Sequence, residues 1–158
     1  MGFTEICIPR QVQTGYNAGV NNVGILCVLS LMGLACVNID GGAVELAWVV
    51  RSQSGNPLGC SKSVKLDTAQ VELHVNPYGE PVAGFCTNAT AYRWACIEDQ
   101  GGTPFEIAAG LYEFQIAVCC QNGLVADVAV PPKALRQIGE GEVTSLNAWL
   151  VEVTTGCP

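Results

Sequence analysis

Residues Leu111–Val130, LYEFQIAVCCQNGLVADVAV, decide the fold class. Two apolar runs flank Gln121-Asn122-Gly123, and the spacing predicts a β-hairpin. A two-residue Asn122-Gly123 turn would set Val118 opposite Asp127. A three-residue loop pairs Phe114 with Val130, Ile116 with Val128, Val118 with Ala126 and Cys120 with Leu124. Every member of that face is then apolar, and Gly123 falls on the left-handed position that such loops require. The other face reads Gln115/Ala129, Ala117/Asp127 and Cys119/Val125. A one-residue slip would turn one strand inside out, so the all-apolar face fixes the register.

The same grammar extends in both directions. Val44–Arg51 is a run of β-formers after an Asp40-Gly41-Gly42 turn. Val71-Glu72-Leu73-His74-Val75 alternates as a half-buried strand does. In residues 89–98, Tyr92, Trp94 and Cys96 fall on an inner face, with Ala91, Arg93, Ala95 and Ile97 outside. Val64–Leu66 is a short strand candidate, and Thr144–Thr154 closes the chain as a strand. Pro131-Pro132 stops the hairpin, and residues 132–138 (PKALRQI) read as one short helix ended by Gly139. The fold class is therefore all-β, a β-sandwich of immunoglobulin-like or jelly-roll-like form. Residues 1–22 form an N-terminal arm and residues 23–158 the sandwich domain.

At 158 residues the chain can bury about 70% of its unfolded surface. Lys, Arg, Asp and Glu total 13%, about half the usual share, and the formal charge is −7. An acidic chain without clustered cations is a poor nucleic-acid binder. Low charge is also the mark of interface cores, which points to a subunit of an assembly, a homo-oligomer among them.

Nine cysteines are present. Cys27, Cys36, Cys119 and Cys120 sit in apolar runs, where free cysteine behaves as a small buried hydrophobe. The odd count and these neighbours predict mostly reduced thiols. Cys60 and Cys86, beside glycine and polar residues, are the candidates for a bridge, and Cys157 can pair with a neighbour or another chain. Cys119-Cys120 is the one close pair. Its side chains point to opposite sheet faces, so no metal site is expected.

The run Val23–Ile39 (VGILCVLSLMGLACVNI) is short for a membrane helix, and no basic residue flanks it closely. Gly33-Leu34-Ala35-Cys36 resembles a bacterial lipobox with Gly in place of Leu. The run reads as one or two buried strands bending near Gly33, or as a buried helix. No membrane partner and no export signal are expected. His74, the one histidine, reads as a polar-face residue. Trp48, Trp94 and Trp149 read as core aromatics rather than sugar platforms. No catalytic, cofactor or metal residues are assigned.

Val71–Val75, the Gly79-Glu80-Pro81-Val82-Ala83-Gly84 turn and the Ala109-Gly110-Leu111-Tyr112-Glu113-Phe114 strand entry resemble immunoglobulin-like and transthyretin-like modules. The chain is also similar in character to small tailed-phage virion proteins: acidic, rich in Gly, Asn and Thr, and β-dominated with an extended N-terminus. That resemblance implies a non-enzymatic capsid cement or decoration subunit in the virion. Its partners would be the major capsid protein or other virion subunits. Phe3, Ile6, Ile8 and Tyr16 of the arm would enter a neighbour's apolar surface. A tail or neck subunit and a cell-surface or pilus-like adhesion module are the alternatives, followed by a small enzyme or ligand-binding barrel.

Overall fold

The computed structural model describes residues 40–158 apart from 82, 83, 88 and 89. The arm, the boundary at residues 22/23 and the run 23–39 lie outside the described residues. A compact unit spans Ile39–Pro158.

Eight strands form two four-stranded sheets, and the fold is an all-β sandwich. The strands are β1 (Ala43–Ser52), β2 (Gln70–Pro77), β3 (Tyr92–Ala95), β4 (Gln100–Gly102), β5 (Gly110–Cys119), β6 (Asp127–Ala129), β7 (Ala134–Ile138) and β8 (Val143–Gly156). One sheet runs β4-β1-β8-β6 and the other β3-β2-β5-β7. The first sheet is built on a parallel pair, with β1 beside β8 from Ala43↔Val143 to Ser52↔Val153. The second is antiparallel throughout.

Alternation supplies the core. Val44, Leu46, Trp48 and Val50 of β1 point inward against Val71 and Leu73 of β2 and Phe114, Ile116 and Val118 of β5. Strand β8 departs from strict alternation. The β1–β8 register shifts between Glu45 and Ala47, where β8 carries one extra residue, and Asn147 there adopts φ 61°. That bulge resets the phase of the strand, so Leu146 and then Trp149, Val151 and Val153 all face the core. Trp48 Nε1 donates to the Cys96 carbonyl and Trp149 Nε1 to the Leu146 carbonyl, which satisfies both buried indoles.

The hairpin holds at its tip and divides beyond it. Cys120 N–H donates to Leu124 O, Ala126 N–H donates to Val118 O, and Gly123 has φ 79°. Past Ala126 the second strand leaves its partner: β6 pairs with β8 in the opposite sheet. The pairings of Phe114 with Val130 and Ile116 with Val128 are thereby corrected. Phe114 lies opposite Ala134, because β7 takes the edge of β5 that β6 vacates. Residues 132–138 are accordingly not a helix. The backbone amides of Gly110–Phe114 need partners, and the ladder they offer outweighs the helix propensity of a short Lys-Ala-Leu-Arg-Gln run. Val64–Leu66 is not a strand either. Lys62–Val64 form a 3-10 turn, and Leu66 is fully buried behind it.

Three disulfides join the described cysteines: Cys60–Cys96, Cys86–Cys119 and Cys120–Cys157. The expectation of mostly reduced thiols is overturned for these six. Apolar neighbours report burial, and a half-cystine buries as readily as a thiol. Cys119 and Cys120 do point to opposite faces. Cys119 reaches Cys86, while Cys120 ties the end of β5 to the chain end beyond β8 and so links the two sheets.

Candidate functional site

The outer face of the second sheet carries a buried polar cluster. Alternation along β2 sends Glu72 and His74 outward, away from Val71 and Leu73. Exposure does not follow, because the segment around Phe85 and Cys86 lies over them. Glu72 is fully buried and His74 is 2% exposed: His74 lies on the Glu72 side of β2, the polar face on which it was read, and that face is covered there. Phe85 packs edge-on against the His74 ring at 4.6 Å, and Cys86, Ala117 and Cys119 form a small second apolar cluster beside it.

Glu72 is saturated with donors. Its Oε1 accepts from His74 Nε2 and, at 2.8 Å, from the Cys86 N–H. Its Oε2 accepts from Arg93 Nε at 2.7 Å and lies 2.6 Å from Arg93 Nη2. Burial pushes the Glu72 carboxyl up, but the hydrogen bonds from His74, the Cys86 amide and Arg93 outweigh it, and the group is held below the ordinary carboxylate value. The cluster therefore clamps three separate pieces of chain: β2, β3 and the Cys86 segment. The Cys86–Cys119 disulfide fixes that segment covalently to β5.

Donor atoms of Glu72, Cys86 and Cys119 lie within 4.8 Å of one another. In the bridged form each sulfur is bonded to the other, so neither offers the thiolate a metal ligand needs. The arrangement is chemically a structural clamp.

A second feature is a groove of about 670 Å³ along β4, β1 and β8. Glu45, Glu98, Gln100 and Asn147 line it together with Trp94. Gly101 makes the groove possible, because a Cβ there would come within 2.3 Å of the Trp94 indole. Trp94 is half-buried, lies parallel to Tyr92 with ring centres 6.4 Å apart and packs against the core. Trp48 and Trp149 are buried, leaving Trp94 as the tryptophan that borders the groove.

Cys60 and Cys86, the bridge candidates, are both bridged, each to a different cysteine. Cys157 pairs within the chain. The arm residues Phe3, Ile6, Ile8 and Tyr16 lie outside the described residues. Sequence reasoning missed the Glu72 clamp. Its signal was faint: an acid and the one histidine two apart on the polar face of a strand, with nothing to announce the covering segment. The groove had no signal, since it depends on the bulge at Asn147 and on which strand neighbours which.

Among the described residues no helix is long and apolar enough to cross a membrane. No known protein-family model matches the chain, and no curated protein is significantly similar to it.

Proposed function

We propose that the chain is a non-catalytic structural module of a cell surface, working in an oxidising compartment as an adhesion or display unit. The observation that carries this reading is the complete pairing of the six cysteines between residues 40 and 158 in three bridges. Disulfides persist in secreted, periplasmic and surface proteins and are rare in reduced cytoplasm. This departs from the expectation of a chain without an export route.

Two further features support a rigid structural role. The four edge strands β3, β4, β6 and β7 have 4, 3, 3 and 5 residues, too short to template strand addition. The buried carboxylate of Glu72 is committed to holding backbone and side chains in place, and its donors leave it no base chemistry to perform.

The virion subunit, a capsid cement or decoration protein, is the second reading. What favours it is the charge-poor surface with exposed apolar side chains on both sheets, Val49 and Val143 on one and Leu111 and Leu135 on the other. Virion surfaces also tolerate disulfides.

Density fractionation of producing cells separates the readings. Disulfide-bonded protein sedimenting with the cell envelope supports the surface module. Sedimentation with DNA-containing particles favours the virion subunit. Reduced protein in the soluble cytoplasmic fraction contradicts both.

A further inference from the structure

We propose that the cavity beside the end of β2 binds one neutral sugar ring, the terminal hexose of a surface glycan. This gives the adhesion reading above its ligand, and rests on that reading for where the ligand is met. Among the described residues β3 pairs with β2 as far as Leu73↔Tyr92. Past that pair, His74 to Pro77 of β2 border a cavity of about 350 Å³, which Tyr92, Glu106 and Tyr112 also line. That volume lies at the small end of ligand pockets, which run to about 300–1,000 Å³, and suits a single ring rather than a chain.

Two residues that line this cavity carry a buried polar atom with no partner. His74 and Asn76 lie two apart on β2 and so share its outer face. His74 Nδ1 and Asn76 Nδ2 are both buried without a hydrogen-bond partner. Folded proteins rarely leave such groups unmet, and two of them on one cavity point to a ligand that meets both. His74 Nε2 is engaged by Glu72 Oε1, so the atom left over is Nδ1. It accepts from a hydroxyl in the neutral ring and donates to one in the charged ring, while Asn76 Nδ2 donates. The Tyr92 hydroxyl donates to Glu106 Oε1 at 2.8 Å, which leaves Glu106 Oε2 to accept. His74 is buried, Asn76 half-buried and Glu106 exposed, so the polar groups run from floor to mouth. A group that both donates and accepts at each of these points is a hydroxyl, and several hydroxyls on one small frame describe a hexose. The Glu106 carboxylate repels an anionic sugar, and the Asn76 amide nitrogen, a donor, gives an ammonium nothing to bind. The half-buried rings of Tyr92 and Tyr112 offer apolar surface to the C–H face of the sugar.

The full chain, isotope-labelled and purified with its three bridges, is titrated by NMR with free glucose, galactose and mannose in turn, each beside its own uronic acid. At least one hexose should move the Asn76 side-chain amide and His74 ring signals saturably, and its uronic acid should bind more weakly. The same hexose should bind as the end residue of a trisaccharide and not as the middle one. Asn76→Ala should weaken binding roughly 2–10-fold, the loss of one hydrogen bond, while the Cys60–Cys96, Cys86–Cys119 and Cys120–Cys157 bridges stay formed. Glu106→Gln, at an exposed position, should narrow the preference for the hexose over its uronic acid, which a merely structural role would not do. The site is overturned if no hexose moves either signal, if the shifts lie elsewhere on the protein, or if Asn76→Ala binds as the wild type does. Binding of the middle residue overturns the terminal assignment. Each of these results leaves the surface reading standing, whereas reduced protein in the soluble cytoplasm overturns that reading whatever the cavity binds.

Discussion

Replacing Cys120 and Cys157 together by alanine tests the covalent link between the two sheets. The bridge closes a loop with a sequence separation of 37, and its Cα atoms lie 5.7 Å apart, inside the normal range. Cross-linking a loop of that length removes about 13 cal/mol/K from the unfolded ensemble, or about 3.8 kcal/mol at 25 °C. Cys120 is 6% exposed, so losing its sulfur adds roughly 1 kcal/mol of packing. The expected total is about 4–5 kcal/mol. A folded unit of about 120 residues has roughly 6–18 kcal/mol of stability, so the variant should fold but melt ~10–20 °C lower. Equilibrium urea unfolding without reductant, followed by tryptophan fluorescence, gives the difference. The slope with urea should rise in the variant, because an unfolded chain freed of this cross-link exposes more surface. A loss below about 1 kcal/mol with an unchanged slope would refute the reasoning, since it would leave the unfolded state unconstrained by the bridge.

The two faces of the hairpin differ in burial: Ile116 is 2% exposed and Val125 is 51% exposed. Ile116→Ala should cost about 2–5 kcal/mol and Val125→Ala well under half of that by the same urea assay, and equal losses would contradict the assigned faces. Glu72→Gln breaks a buried ionic network and should cost about 3–5 kcal/mol at neutral pH. The Glu72 carboxyl lies below its ordinary value of 4.5 in the folded state, so its contribution is complete above that value and is lost as pH falls through the lowered one. The gap between wild type and Glu72→Gln should therefore narrow on acidification, and a gap independent of pH would argue against the clamp. The Tyr92 phenol is pushed from 10.0 up to about 12 by burial, by its hydrogen bond to Glu106 and by that carboxylate's charge. The raised value gives stability that is complete below pH 10 and lost as pH rises through about 12. Tyr92→Phe should flatten that alkaline decline in thermal melts, and an unchanged decline would place its origin elsewhere.

Much of the sandwich was legible because alternation reports burial on one face at a time. Val44 to Val50, Val71 and Leu73, and Phe114 to Val118 all face the core as their period requires. What alternation cannot report is which strand neighbours which. The parallel pairing of β1 with β8 joins the two ends of the folded unit, and no local pattern encodes it. The same blindness turned β7 into an expected helix: Ala134–Ile138 is an edge strand because β6 crosses to the other sheet, and that crossing is a long-range event. His74 and Glu72 were placed on the correct face but not under cover, since no local pattern announces the segment whose Phe85 packs on the His74 ring. The cysteines misled for a chemical reason. An apolar context is shared by buried thiols and buried disulfides, and which sulfurs can pair is decided by which of them the fold brings together.

Disulfide mapping of the protein isolated from its own cells, with free thiols alkylated at the moment of lysis, decides whether the module works in its oxidised form. Three cross-linked peptide pairs are expected, Cys60 with Cys96, Cys86 with Cys119 and Cys120 with Cys157, with no alkylation at those six positions. Alkylated cysteines at these positions in freshly lysed cells would contradict it, because a module kept reduced where it works has no need of an oxidising surface.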